Sequence, residues 1–360
     1  MSELLKRKVI SIWDAVSLGY PCAPMPQFEL ARAIPQQRLG IDFPVGLGFE
    51  KNIAPVPAVV RFDDAILLPD GSIVTDEHYV FHGLTFVPHG GVWTRYAPLV
   101  VEARGDFVQL CLPAEVREVN DLGFQLVTGH GQNYGHFHHD VIARAYFAQF
   151  ATELMSGSFK YICRYPKFPM QLHILNHVFG AGNILFQHAV SLKAKSCAVA
   201  ALPSGPYGML PESVEFAHKH LKSAFSLKGS KGSRRIFISR ADGVANQGRL
   251  ISNQGELDAL LRRFGFESMV LSTNDPHDTI SAFENAECVL GLHGAGLMNL
   301  MFCPVPTKII ELHPPHAPPW ISRIGRLVGH EHIVFQLQEH GEKTVIDISD
   351  LSSLLIKLLE

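Results

Sequence analysis

The sequence predicts an α/β protein whose C-terminal half is a doubly wound parallel sheet, with additional β structure in its N-terminal part. Three observations carry the prediction. Beyond Arg234, short apolar runs alternate with amphipathic segments of helix length, the rhythm of repeated strand–helix units. The apolar run 288–292 ends on a histidine and a Gly-Ala-Gly turn, where the backbone is free to turn sharply and approach a ligand. Before residue 130, β-branched and aromatic runs are punctuated by Pro and Gly.

Taken in chain order, "AILLPDGSIV" from Ala65 to Val74 reads as two short strands, with Asp70-Gly71 supplying the turn. "APLVVEAR" and "DFVQLCLP" are further strands. A break near "LPSGPYGMLPES" divides the chain into two domains, 1–210 and 211–360. In the second domain "RIFISR" is a strand. "NQGELDALLRRFG" is a helix with Leu257, Leu260, Leu261 and Phe264 on one face, capped by Asn253, with Glu256 at the capping-box spacing and Gly265 ending it. "FESMVLS" is a strand, and "NDPHDTISAFENA" is a helix with Pro in its first turn and Ile280, Phe283 and Ala286 on one face. Strands "CVLGL" and "TKIIEL" follow. "HPPHAPPW" reads equally as a cleft wall or a rigid connection. The terminal "DISDLSSLLIKLLE" is an amphipathic helix, expected to cross back to the first domain.

Composition narrows the class. Hydrophobic residues at 47% and charged residues at 18% are an ordinary globular balance, so 360 residues bury a sizeable core. A net charge of −3 without a basic block argues against a nucleic-acid partner. Six scattered cysteines with no C-x-x-C pair point to a reducing compartment. No apolar stretch approaches the roughly 18–20 residues of a membrane span. The expected location is the cytoplasm, with peripheral contact at the inner face of the membrane left open. Oligomeric state is not legible.

Two clusters carry chemistry. His293 closes strand 288–292, Gly294 and Gly296 free the turn, and a helix starting near Leu297 offers unpaired N–H groups to an anion. Ligands of doubly wound sheets bind outside the carboxyl ends of the strands, where Arg240 and Glu311 also fall. A guanidinium there forks phosphate oxygens, and a carboxylate accepts from ribose hydroxyls. The bland alternative is an ordinary glycine turn with solvated charges around it. In "NYGHFHHDVIARAYF", helical spacing places His136, His139, Asp140 and Arg144 on one stripe, with His138 pointing elsewhere. That stripe reads as a general base, as a metal site, or as a polar helix face.

These segments resemble glycosyltransferase family 61. The resemblance rests on "FISR", "GRLISNQGELDALLRRFGFESMVL", "ISAFENAECVLGLHGAGLMNLMFCPVPTKIIEL" and "NYGHFHHDV", four motifs in order over roughly residues 125–315. It implies a GT-B fold, two Rossmann-like domains facing across a cleft. It also implies inverting transfer of a sugar from a nucleotide donor, usually a UDP-sugar, with no cofactor and no metal required. Carried over, Arg240, His293 and the turn Gly294, Ala295, Gly296 and Leu297 with Asn299 hold the donor, and Glu311 holds its ribose. Asp140, with His139 and His136, faces an oligosaccharide, polysaccharide or glycolipid acceptor, in cell-surface polysaccharide synthesis. Arg249 and Asn253 match the pattern without an assigned contact. The segment "ADGVANQG" between Arg240 and Arg249 departs from the pattern, as does the dense run of histidines. The rival readings are a non-catalytic nucleotide-sugar-binding protein and a metal-dependent hydrolase centred on His136, His139 and Asp140.

Overall fold

The computed structural model describes residues 4–11, 20, 22–24, 58–81, 100–104, 107–111, 116–201, 210–229, 232–240, 251–271, 275–315, 317, 319–340 and 343–360. Arg249 and the departing segment beside it lie outside the described residues. The chain divides into two units, Met1–Ala217 and His218–Glu360.

Strands of the first unit are β1 (Leu4–Ser11), β2 (Cys22–Pro24), β3 (Ala58–Leu67), β4 (Ile73–Val74), β5 (His78–Phe81) and β6 (Val100–Arg104). They continue as β7 (Phe107–Cys111), β8 (Val116–Val119), β9 (Gly123–Gln125), β10 (Lys160–Arg164), β11 (Ile184–Gln187) and β12 (Ser191–Ala201). They form one mixed sheet in the order β11-β10-β9-β12-β3-β4-β5-β1-β7-β6, with β2 on β3 and β8 on β12. The turn expected at Asp70-Gly71 joins β3 to β4: Gly71 has φ 94°, and Ser72 N–H is held by Asp70 Oδ1 at 2.9 Å. Long β12 pairs antiparallel with β3 and parallel with β9. Their inward residues Val60, Phe62, Ala65, Leu67, Leu192, Ala194, Cys197 and Val199 make the core. Beyond β9 the pairing becomes parallel, β9 to β10 to β11. The links are a helical run over 134–155 and the helix Pro169–Phe179. That run starts beyond the carboxyl end of β9, where a parallel sheet presents its loops to ligands.

The second unit realises the parallel sheet anticipated from the sequence. Its strands β13 (Arg234–Ile238), β14 (Phe266–Met269), β15 (Ala286–Leu292), β16 (Lys308–His313) and β17 (Glu331–Gln336) lie in the order β14-β13-β15-β16-β17, every pair parallel. Alternation along β15 and β16 sends Cys288, Leu290, Leu292, Ile310 and Leu312 to one face. There they pack with Leu257, Leu260 and Leu261 of the helix Gln254–Arg263 and with Leu351 and Leu355 of the helix Ile348–Leu359. Each such fully buried side chain contributes about 1.5–3 kcal/mol. The terminal helix is thus docked on its own unit rather than crossing back, and Lys308 Nζ holds the Leu358 carbonyl.

Three further expectations are corrected. Asn253 stands at the N-cap of the helix that follows it, but its side chain makes no capping bond. Its Nδ2 donates to the Ile346 carbonyl at 2.8 Å and its Oδ1 accepts from Ile346 N–H at 3.1 Å, the two-way pairing an amide makes with a backbone. Ala286 opens β15 instead of finishing the preceding helix, Pro276–Glu284, whose face is Ile280 and Phe283. The helix expected from near Leu297 begins earlier, at Ala295, and is a buried 3-10 helix, Ala295–Phe302. The helix Trp320–Val328 and strand β17 follow the proline run.

Candidate active site

The strand order of the second unit locates the point where its winding reverses. The chain leaves β13 toward β14, then crosses to β15 on the other side, so β13 and β15 are the neighbours at which the winding reverses. Sheets of this order bind ligands outside the carboxyl ends of such strands. Arg240 follows β13 and His293 follows β15. Arg240 Nη2 donates to the His293 carbonyl at 3.2 Å, tying the two strand ends together. Gly294 has φ 148° and ψ −179°, backbone open only to glycine. Gly296 is closely packed: a Cβ there would stand 3.0 Å from Leu271 and 3.2 Å from Ile238, so those side chains would have to shift slightly.

Behind this turn a glutamate is buried between two histidines. His293 Nδ1 donates to Glu311 Oε1 at 2.5 Å, and His332 Nε2 donates to Glu311 Oε2 at 2.9 Å. Burial pushes the carboxyl up, but the hydrogen bonds from the two histidines outweigh it and hold Glu311 at about 2. A carboxylate with no exposed surface and both oxygens occupied is not placed to meet a ribose, the role expected of Glu311; here it orients His293. Asn299 and Leu297 are likewise buried. Asn299 Nδ2 donates to the Gly296 carbonyl at 2.8 Å and so braces the turn. Ala295 and Leu297 offer a ligand backbone only; the Leu297 N–H closes the turn on the Gly294 carbonyl at 3.0 Å.

The other cluster is built on an irregular helix. Asn133 caps it, its Oδ1 accepting from Gly135 and His136 N–H at 2.9 and 3.4 Å. Over Phe137–Ile142 the helix widens: Ala143 N–H reaches back five residues to the His138 carbonyl. Such π turns are frequent at functional sites. The wider turn advances each residue by a smaller angle, bringing adjacent His139 and Asp140 to one side. Asp140 Oδ2 accepts from His136 Nδ1 at 2.7 Å and Oδ1 from His139 Nδ1 at 2.6 Å. His138, as expected, points elsewhere; its Nδ1 donates to the Tyr134 carbonyl at 2.7 Å.

Electrostatics set the roles. Burial pushes Asp140 up, yet the charge of His139 and the hydrogen bonds from both histidines hold it far below the ordinary carboxylate range. Burial lowers the Arg144 guanidinium to about 10 against the raising effect of Asp140, and lowers His138 to about 4. Asp140 is therefore a permanent anion carrying two imidazoles.

His136, His139 and Asp140 bring one ligand atom each within 4.8 Å of one another, as do His293, Glu311 and His313. Two ligands about 2.0–2.1 Å from one tetrahedral zinc stand roughly 3.3 Å apart. The 2.5–2.7 Å contacts to each carboxylate are hydrogen-bond distances instead.

Of the expected residues, Arg240, His293 and the glycine turn come together with Glu311, and His136, His139 and Asp140 come together in the first unit. Asn253 is drawn away to Ile346, and Arg249 is not among the described residues. His332 and Gly325 were missed. The signal for β17 was present as the alternation in "EHIVFQ", masked by the proline run before it.

The Glycosyltransferase 61 family matches residues 134–310, from the start of the histidine helix into β16. Over 95 residues the chain is 33% identical to Alpha-1,3-arabinosyltransferase XAT2 of Oryza sativa subsp. japonica. That match covers 25% of this chain and 15% of the relative.

Proposed function

Because the chain belongs to glycosyltransferase family 61, we propose that it transfers a sugar, with inversion, from a nucleotide-sugar donor to a hydroxyl of a glycan acceptor. One observation carries the reading. At the reversal point of the second unit's sheet, Arg240 and a Glu311-held His293 flank a glycine turn, the constellation a diphosphate needs.

An inverting displacement breaks the bond between anomeric carbon and diphosphate as the acceptor oxygen attacks from the opposite side. The leaving charge falls on Arg240, on His293 and on backbone N–H groups of the turn. Losing one such donor costs about 3–4 kcal/mol of transition-state stabilisation. The acceptor proton needs a base. Asp140 is a poor one, being strongly stabilised as an anion; its part is to orient the imidazoles, as carboxylates do beside catalytic histidines. With Nδ1 committed to Asp140, a histidine takes the proton at Nε2. His136, its side chain 26% exposed against 8% for His139, is the assigned base.

The reading includes a GT-B organisation, a UDP-sugar donor and no required metal. The relative's name makes a pentose the first sugar to try. The setting is cell-surface polysaccharide synthesis, in the cytoplasm or at the membrane's inner face. Among the described residues no helix is long and apolar enough to cross a membrane.

Thermal unfolding against UDP, other nucleotides, UDP-pentoses and UDP-hexoses, each with and without EDTA, tests the proposal. A ligand at 100 times its Kd adds about 2.7 kcal/mol. Stabilisation by UDP that survives EDTA and disappears in Arg240→Ala is the expected result. No response to any nucleotide refutes it. Destabilisation by EDTA alone turns the reading to a hydrolase using His136, His139 and Asp140 as metal ligands.

A further inference from the structure

We propose that His332 is a positioning residue for the nucleotide-sugar site: from within the core it pins the Glu311 carboxylate, which in turn fixes the tautomer and direction of His293. The inference rests on the donor site proposed above.

Register brings the groups together. β17 pairs with β16 so that Ile309 lies opposite His332 and Glu311 opposite Val334. Side chains two apart on a strand share a face, so His332 and Glu311 meet diagonally on the side facing the helix Trp320–Val328. Both side chains have no exposure, whereas that of His293 is 10% exposed. A line of hydrogen bonds therefore runs outward from the core, His332 to Glu311 to His293. His313 is its other near neighbour, its ring 5.1 Å from that of His293.

The tautomers follow from what each nitrogen meets. His332 Nδ1 has no hydrogen-bond partner among the described residues and lies against the backbone of Gly325, where a Cβ would stand 2.2 Å away. A proton on that nitrogen would be a buried donor without an acceptor, so His332 carries its hydrogen on Nε2 and gives it to Glu311. With one oxygen held by His332, the carboxylate cannot rotate about its terminal torsion. Its other oxygen then receives the Nδ1–H of His293, which leaves Nε2 as the nitrogen with which His293 can meet a ligand. Fixing a working imidazole through the hydrogen bond on its other nitrogen is a general device of binding sites. Glycine at 325 is what makes room for the ring that does it.

The test compares His332→Gln, whose amide N–H still reaches Glu311, with His332→Leu, which removes the donor. Both are made in the full chain. Nitrogen-15 NMR of labelled histidines in the ligand-free protein reads the His293 tautomer, and calorimetry reads UDP binding. Expected are a protonated Nδ1 on His293 in the wild type and in His332→Gln, and an averaged tautomer in His332→Leu. UDP binding should weaken about tenfold in His332→Leu, the scale on which outer-shell partners act, and recover in His332→Gln. Should His332→Leu not fold, Gly325→Ala crowds the same ring from the other side and is expected to disturb the His293 signals likewise. Unchanged His293 signals or UDP affinity in the folded variant, or equal loss in the Gln and Leu variants, overturn the proposal. A wild type that ignores UDP yet shows the locked tautomer and its loss in His332→Leu would sink the nucleotide-sugar reading and leave the relay standing.

Discussion

Glu311→Gln keeps the shape of the buried trio and removes its charge. A glutamine accepts through one oxygen only, so its NH2 must face the N–H of either His293 or His332. The magnitude follows from the carboxyl's own equilibrium. Despite burial, the two histidines hold it at about 2 rather than 4.5. At about 1.36 kcal/mol per pH unit, that gap corresponds to roughly 3 kcal/mol favouring the folded, ionised form. A buried donor left unpaired costs about 1–3 kcal/mol, the same scale. Urea unfolding at pH 7 should therefore find the variant less stable by about 3 kcal/mol. The folded-state pKa lies below the ordinary one. The contribution of Glu311 is then complete above about 4.5 and is lost as pH falls through about 2. Wild type and variant should accordingly converge in unfolding series carried below pH 4.5. A difference under about 0.5 kcal/mol at pH 7, the scatter expected of a neutral substitution, would refute the reasoning. So would a gap that stays constant down to pH 3.

Asp140→Asn presents an amide N–H2 to one of two imidazole N–H groups, so one histidine loses its orientation. Sugar transfer should fall by about 10²–10⁴, the range of general-base catalysis, in a protein whose circular dichroism is unchanged; wild-type turnover would remove Asp140 from the site. Gly294→Ala forces φ 148° on a residue with a Cβ, costing about 1–3 kcal/mol. Both melting temperature and UDP affinity should drop, and an unaffected UDP Kd would show that the turn does not contact the donor.

Local chemistry made much of this protein legible. The strands and helices between 234 and 313 were readable because hydrophobic period is a property of neighbouring residues. His136, His139 and Asp140 were readable as a group because helical spacing brings them together whatever the rest of the chain does. Their division of labour was not. The π turn that turns His139 onto Asp140 depends on Ala143 choosing a partner five residues back, a choice made by the surrounding packing. At the other cluster a glutamate ending a strand reads as a solvated or ligand-facing charge. Only the parallel pairing of β16 with β17 buries Glu311 and sets His332 beside it, 21 residues away. Asn253 looks like a helix cap because its nearest backbone is the helix; tertiary folding offers it Ile346 instead. The amphipathic terminal helix declares that it must bury a face, and the core around Leu257 and Leu290 decides which surface receives it. Which elements form is settled over a few residues by backbone geometry and side-chain periodicity. Which polar groups meet depends on strand register between segments far apart in the chain, and that exists only once the sheet is assembled.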